Sequence, residues 1–179
     1  MIKIAVLVGS LRAESINRKL AQNLEALTPA GTEFIYADVN LPLFNQDIEA
    51  SPPVQARTLK NVIESADGVL ILTPEYNRGI PGVLKNAVDW ASRPYGQNSF
   101  KGKPVGIVGA SGGQTGTAQA QSHVRNTMIY LDTKIMGQPE LYVQFGNVFD
   151  ENGQVLESYK QYLQNYINAL VAHIDTNKK

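Results

Sequence analysis

The sequence predicts an α/β fold in which helices cover both faces of a parallel β-sheet. Three observations support this prediction: the strand candidates are apolar on both faces, helical patterns separate them, and there are five of each. Strands that are apolar on both faces are typical of parallel sheets. Five strands favour the doubly wound order 2-1-3-4-5 over a six-stranded order. The predicted strands are residues 2–8, 33–37, 68–73, 104–109 and 134–143.

The helices are predicted from apolar residues that recur at three- and four-residue intervals. No internal repeat, low-complexity segment or linker interrupts the alternation of strands and helices, so residues 1–179 are predicted to form a single domain. The Pro- and Gly-marked stretches 41–53 and 95–103 are predicted to be surface connections. The five helical patterns begin at Ile16, Leu59, Val83, Thr117 and Leu156.

Composition excludes several classes of function. Sixteen Lys and Arg balance sixteen Asp and Glu, so no charge excess indicates a nucleic acid or an anionic membrane as partner. The absence of cysteine excludes disulfides, thiolate metal sites and thiol catalysis. His123 and His173 are too far apart to predict a metal centre, so no bound metal is expected. With neither a signal-peptide pattern nor an apolar run of about 20 residues, the sequence predicts a cytoplasmic protein.

The first loop, residues 9–18, is the most informative functional feature. An apolar strand ends at Gly9, and hydrogen-bond donors crowd the turn before a helix begins. The first turn of a helix has unpaired N–H groups and the positive end of the helix dipole, so these donors predict a site for a phosphate monoester. In the alternative interpretation, Ser15 is only a helix N-cap and the arginines are solvated. The donors are Ser10, Arg12, Ser15, Asn17 and Arg18.

The second loop, residues 73–82, follows the third predicted strand. Two prolines and two glycines restrict where its backbone N–H groups point. Tyr76 and Asn77 are placed to flank a flat heteroaromatic ring, although a rigid β–α turn in which Tyr76 packs on its neighbours remains an alternative. In the helix that follows, three residues are expected to pack and cap rather than contact a ligand: Asn86, Asp89 and Trp90.

The third loop, residues 109–116, is glycine-rich and allows a close approach of backbone to a ligand. Its first five residues also match G-x-S-x-G, the nucleophile elbow of α/β-hydrolases, which keeps an acyl hydrolase with Ser111 as nucleophile as an alternative. Such an enzyme needs a histidine partner, and only His123 and His173 are available. The loop is also longer than an elbow, which turns directly into its helix.

Together these motifs resemble those of the NADPH-dependent FMN reductase family, small flavoenzymes that reduce quinones, azo dyes and chromate. Two motifs carry the resemblance: Gly9-Ser10-x-Arg12-x-x-Ser15-x-Asn17-Arg18, and Pro74-Glu75-Tyr76-Asn77 continuing to Leu84-Lys85-Asn86-Ala87-x-Asp89-Trp90. The resemblance implies a flavodoxin-like three-layer sandwich with tightly bound FMN. It further implies a ping-pong hydride transfer from NADPH or NADH through FMN to a small-molecule acceptor, with no side chain acting as a catalytic residue.

The resemblance also implies an assembly and the residues that bind FMN. Family members are usually homodimers or homotetramers with the flavin near the subunit interface, so Arg93 either faces a shared substrate pocket or is a cation favoured at a helix C-terminus. A flavodoxin-type electron carrier is the nearest alternative, against which the neutral charge and the two arginines of the first loop argue. The phosphate would contact Ser10, Arg12, Ser15 and Asn17, and the ring would contact Pro74, Glu75, Tyr76 and Asn77 on one side and Ser111, Gly112 and Gly113 on the other.

Overall fold

A computed structural model describes residues 1–178, in which six strands form one sheet with helices on both faces. A short 3-10 helix at Gln46–Ile48 lies in the connection after the second strand. The strands are β1 (Ile2–Val8), β2 (Thr32–Ala37), β3 (Gly68–Leu72), β4 (Pro104–Ser111), β5 (Lys134–Ile135) and β6 (Tyr142–Gln144). The helices are α1 (Ile16–Ala26), α2 (Val54–Ser65), α3 (Gly82–Ala91), α4 (Ala118–Tyr130), α5 (Phe145–Val148) and α6 (Glu157–Asn177).

The sheet confirms the predicted order. Hydrogen-bonded neighbours follow β2-β1-β3-β4-β5, and every strand pair is parallel. The order reverses direction between β1 and β3, which is the switch point where doubly wound sheets bind ligands. In the register, Val8 of β1 is level with Leu72 of β3, which is in turn level with Val108 of β4. The loops after these three strands therefore leave the same edge of the sheet side by side.

The last part of the sheet differs from the prediction of one continuous strand over residues 134–143. β5 pairs with the beginning of β4, at Pro104 and Val105, whereas β6 pairs with its end. The segment between β5 and β6 contains Pro139, which has no N–H to donate to a strand ladder. The strand is therefore divided in two, and β6 lies beside the third loop.

Two apolar cores lie on opposite faces of the sheet. Along β1, Ile4 and Val6 face the core under α1 and α6, whereas Ala5 and Leu7 face the core under α2, α3 and α4. All four side chains are fully buried. This arrangement confirms the three-layer sandwich, because a parallel sheet with apolar residues on both faces needs helices on both. Among residues 1–178, no helix is long and apolar enough to cross a membrane.

Candidate functional site

The first, second and third loops begin in direct contact at the carboxyl ends of β1, β3 and β4. The N–H of Gly9 donates to the carbonyl of Leu72 at 2.8 Å, and the N–H of Thr73 donates to that of Val108 at 3.0 Å. Gly9 also lies against α3, since a Cβ at this position would come within 3.1 Å of the Leu84 side chain. The loops thus form one continuous surface at the switch point of the sheet.

The first loop offers hydrogen-bond donors that nothing else in the described part of the chain uses. The hydroxyl oxygens of Ser10 and Ser15 accept from the N–H groups of Arg12 and Arg18, each at 3.3 Å, and both serines are buried. Neither serine O–H, nor the first-turn N–H of Ile16, has an acceptor within residues 1–178. Ser15 is therefore both the N-cap of α1 and a free donor, and the loop can bind an anion.

Asn17 has a structural role that the sequence did not reveal. Its Nδ2 donates to the carbonyl of Ala110 at 2.9 Å, and its Oδ1 accepts from the N–H of Ala110 at 2.8 Å. The side chain is buried and joins α1 to the end of β4, across 93 residues of sequence. Of the Asn17 side chain, only the second N–H of the amide is left for a phosphate.

The second loop contains a tight two-residue turn. Tyr76 and Gly79 exchange backbone hydrogen bonds of 3.3 and 3.0 Å, and the two residues between them have positive φ, 52° at Asn77 and 62° at Arg78. This left-handed conformation is favoured by Asn and Gly but is strained for arginine. The Tyr76 side chain is 56% exposed, so it does not pack on its neighbours as the alternative interpretation required.

Glu75 connects the second loop to α4. One carboxylate oxygen accepts from the N–H groups of Gln119 and Ala120, at 3.0 and 3.1 Å, and the other accepts from Arg78 at 2.9 Å. The side chain is 7% exposed. The carboxylate thereby caps α4, whose N-cap residue Thr117 makes no side-chain capping bond. Because both carboxylate oxygens are already hydrogen-bonded, only the backbone of Glu75 is left to contact a flavin ring.

The third loop is folded around Ser111. The Ser111 hydroxyl donates to the carbonyl of Gly116 at 2.5 Å and accepts from the N–H of Gly113 at 3.2 Å. No histidine of the described chain is bonded to this hydroxyl, and the ring of His173 contacts the Lys134 carbonyl instead. The geometry therefore gives no support to the hydrolase alternative. Gly112 and Gly113 leave open space where side chains would stand, with at most the Ser111 hydroxyl nearby.

A cleft of about 370 Å³ separates the second and third loops. The predicted ring-binding residues Glu75, Asn77, Ser111, Gly112 and Gly113 line it, whereas Pro74 and Tyr76 do not. Sequence reasoning missed three residues of the lining, and the only local signal for them was the Asn-Arg turn and the glycine content of the third loop. The missed residues are Arg78, Thr115 and Gly116.

Arg93 lies outside this cleft. It follows the end of α3, its guanidinium is 3.9 Å from the carboxylate of Glu49, and it lies over the ring of Phe44 at 5.7 Å. It lines a separate groove of about 830 Å³ that also includes residues of α3 and α4. Within this chain, Arg93 therefore does not face the cleft between the second and third loops.

The helix after the second loop packs as predicted. Asn86 accepts from the N–H of Phe44 and donates to the carbonyls of Leu41 and Pro42, and the Trp90 indole also donates to Pro42. Asp89 is bonded to Lys85 one turn earlier at 2.7 Å. Asn86 and Trp90 thus hold a surface loop against the helix, and Asp89 pairs within the helix.

The described residues fit a flavin mononucleotide. The buried hydroxyls of Ser10 and Ser15 and the free N–H of Ile16 are donors of the kind that a terminal phosphate requires. Gly112 and Gly113 expose backbone along an open cleft at the same sheet edge. Within residues 1–178, no group of three or more His, Cys, Asp or Glu side chains is placed to hold a metal ion. The fold and the site thus define a nucleotide-binding protein of the flavodoxin-like class.

Sequence comparisons identify the family. The profile of the NADPH-dependent FMN reductase family matches residues 2–148. A 2-hydroxy-1,4-benzoquinone reductase from a Burkholderia species is 48% identical over 176 residues, covering 97% of this chain and 96% of its own. A quinone reductase from Pseudomonas putida is 39% identical over 178 residues, covering 98% and 96% of the two chains. The chain therefore belongs to the NADPH-dependent FMN reductase family.

Structural comparisons agree with this assignment. FerB of Paracoccus denitrificans, a flavoenzyme NAD(P)H:(acceptor) oxidoreductase, superimposes with a TM-score of 0.94 and 41% identity over the whole of both chains. A flavodoxin variant from Pseudomonas aeruginosa has a TM-score of 0.60 at 19% identity, covers 95% of this chain and 99% of its own, and shares the fold alone. The protein is an oxidoreductase that uses FMN with NAD(P)H as electron donor, as the sequence predicted.

Proposed function

We propose that the protein reduces quinones with electrons from NAD(P)H. The single observation that carries this proposal is that the first loop, with its unpaired hydroxyl donors, and an open cleft lie at one edge of the sheet. The names of two relatives, at 48% and 39% identity, support a quinone as the acceptor. Azo compounds and free flavin are further acceptors to be compared with it.

In the proposed complex, the first loop binds the phosphate and the two later loops bind the ring. Ser10, Ser15 and Arg12 donate to the phosphate, and Asn17 holds α1 in place and adds one N–H. Since Glu75 and Ser111 are already hydrogen-bonded, the ring is bound by backbone groups of residues 74–77 and 111–113. FMN, when bound, carries two electrons from the donor to the acceptor.

The chain itself supplies position rather than acid–base chemistry. The described lining of the cleft includes no histidine, and its one acid, Glu75, accepts three hydrogen bonds from other groups. Water therefore supplies the proton that the hydride does not carry. If the donor and the acceptor enter the same open cleft in turn, the kinetics should be ping-pong.

We also propose a homodimer or homotetramer in the cytoplasm, where NAD(P)H is available. The groove that includes residues of α3 and α4 presents exposed apolar side chains, Tyr130 at 82% and Ile129 at 67% exposure. Contiguous exposed apolar surface of this kind is typical of interaction sites. Sedimentation velocity should give two or four times the chain mass of 19.6 kDa, and a purely monomeric protein would contradict the proposal.

The experiment that tests the reductase is steady-state turnover of the FMN-loaded protein. NADPH and NADH are each varied against a neutral quinone, an azo dye and free FMN. We expect quinone reduction to be the fastest reaction and double-reciprocal plots to be parallel. A protein that holds FMN but does not oxidise either nucleotide would instead be an electron carrier.

A further inference from the structure

We propose that Arg78 recognises a negative charge on the electron acceptor. The acceptors of this class are quinones that carry an ionised hydroxyl or another anionic group on the ring. This inference rests on the proposed quinone reductase function and names its substrate class. The residue was not among the sequence-predicted site residues, and the structure places it in the lining of the cleft between the second and third loops.

The Arg78 guanidinium is held on one side and free on the other. Its Nη1 donates to the carboxylate of Glu75 at 2.9 Å and to the hydroxyl of Thr115 at 3.2 Å. The remaining donors, on Nε and Nη2, have no acceptor in the described chain, and the side chain is 71% exposed. Because guanidinium donors are planar and fixed relative to one another, two anchored bonds orient the free edge for bidentate binding of an oxyanion.

The charge of Arg78 is only partly offset by its neighbour. Among the described residues that line the cleft, Glu75 is the one acid, and its other carboxylate oxygen accepts from Gln119 and Ala120 at the N-terminus of α4. The carboxylate of Glu75 therefore interacts both with the positive end of the α4 dipole and with the Arg78 guanidinium. The described lining of the cleft therefore offers an anion the free guanidinium edge of Arg78, while the carboxylate of Glu75 is bonded on its other oxygen to the helix terminus.

The backbone at Arg78 gives a second, independent indication. Its φ of 62° lies in the left-handed region, which costs a non-glycine residue about 1 kcal/mol. Glycine would form the same two-residue turn without that strain. Arginine is therefore less favourable than glycine for the turn itself. What arginine adds at this position is its guanidinium.

The position of Arg78 favours the acceptor over the donor as the bound anion. Its side chain is tied to the wall of the cleft by Glu75 and Thr115, and the cleft measures only about 370 Å³. A charge on the reacting ring itself lies within reach of a group fixed to that wall. In a nicotinamide nucleotide, the phosphates are separated from the reacting ring by a ribose.

The reaction balances without any further reactant. NAD(P)H gives up a hydride, which supplies two electrons, and is oxidised to NAD(P)⁺. The quinone gains these two electrons and two protons and becomes the hydroquinone. One proton equivalent arrives with the hydride, and water supplies the other. The ionised substituent does not react, so Arg78 acts on binding and orientation alone.

The test compares two quinones of similar shape that differ in charge. The probes are 2-hydroxy-1,4-naphthoquinone, which is an anion at neutral pH, and its neutral 2-methoxy analogue. Arg78→Gln removes the charge, Arg78→Lys keeps the charge without the fork, and Arg57→Gln removes a cation outside the cleft. Each FMN-loaded protein is assayed for kcat/KM and is titrated in its oxidised form with the hydroxyquinone by difference spectroscopy.

We expect Arg78→Gln to lower kcat/KM for the hydroxyquinone about tenfold or more, and to weaken its binding in the titration by a similar factor. The methoxyquinone should change by less than about twofold, Arg78→Lys should fall between, and Arg57→Gln should match the parent protein. Equal losses for both quinones, or no loss, would overturn the inference. So would a lowered kcat/KM for NAD(P)H, because in a ping-pong reaction this ratio depends on the donor half-reaction alone, and Arg78 would then act on the donor.

The proposed function fails in a different way. A parent protein that reduces neither quinone with either nucleotide would contradict the reductase proposal. The spectroscopic titration does not depend on turnover, so it still decides whether Arg78 binds the anion. A parent protein that does not bind the hydroxyquinone at all would overturn the inference directly.

Discussion

The first loop and the cleft between the second and third loops use their polar groups in opposite ways. In the first loop, Ser10 and Ser15 accept hydrogen bonds but keep their own O–H donors free. In the cleft, Glu75 and Ser111 are already bonded to α4 and to the third loop. We therefore propose that side chains bind the phosphate, whereas the ring is bound by the backbone that Glu75 and Ser111 hold in place.

This difference teaches that a polar residue at a ligand site is not always a ligand. Asn17, Glu75 and Ser111 occupy positions where the family motifs imply flavin contacts, yet each makes its main hydrogen bonds within the protein. Their substitution should change stability first and cofactor binding second. Ser10, Ser15 and Arg12 should show the reverse order. Matched pairs of variants can separate the two kinds of residue.

The largest effect is expected from Gly109→Ala. A Cβ at this position would lie 2.1 Å from the Thr73 carbonyl and 2.2 Å from the Thr117 hydroxyl, both fully buried. The clash pushes β4 away from the end of β3 and the start of α4, so the free energy of unfolding should fall by about 3 kcal/mol or more. Urea denaturation of the FMN-free protein measures this change.

Gly112→Ala is the matched control in the same loop. A Cβ at Gly112 meets nothing within 4 Å, so stability should change by less than about 0.5 kcal/mol. Binding of FMN and of riboflavin should weaken together, because the added methyl group faces the ring cleft. A large loss of stability in Gly112→Ala would contradict the finding that the space around this glycine is open.

A smaller loss is expected from Glu75→Gln. The amide keeps one oxygen, so it cannot accept from both Arg78 and the N-terminus of α4, and the charge that stabilises the helix dipole is lost. We expect the free energy of unfolding to fall by about 2 to 3 kcal/mol. Glu14→Gln removes an exposed carboxylate that pairs with Lys19 at 3.0 Å, and should cost less than about 1 kcal/mol. Similar losses in the two variants would contradict a capping role for Glu75.

Asn17→Ala tests the connection between the first loop and β4. Losing both hydrogen bonds to Ala110 should lower the free energy of unfolding by about 2 kcal/mol, and should weaken riboflavin binding as well as FMN binding. Asn23→Ala is the control, since Asn23 also joins α1 to a distant backbone, at Gly153 and Val155. It should lose about 1 kcal/mol of stability and leave flavin binding unchanged. If Asn17→Ala weakened only FMN binding, Asn17 would be a phosphate ligand after all.

The contrast between these residues also shows which features could be predicted from the sequence. The strand order and the first loop follow from local patterns: apolar runs, helical spacing, and a serine before a helix. The bonds of Asn17 to Ala110, and of Glu75 to Ala120, join residues 93 and 45 positions apart. No local pattern encodes such pairings, because they depend on how the loops meet after the sheet has formed. The division of the last strand was missed because its apolar character outweighed the effect of Pro139.

Arg12→Ala should have the smallest effect on stability and a selective effect on the cofactor. The side chain is exposed and bonded to nothing in the described chain, so the free energy of unfolding should change by less than about 0.5 kcal/mol. FMN should bind about tenfold more weakly, whereas riboflavin, which lacks the phosphate, should bind as before.

Arg18→Ala is the control for this prediction. Because the Arg18 guanidinium lies over the Tyr36 ring at 5.8 Å, its loss should affect FMN binding less. Fluorescence titration with both flavins measures these changes. Equal weakening of FMN and riboflavin by Arg12→Ala would mean that the first loop does not select the phosphate, and the contrast with the cleft would disappear.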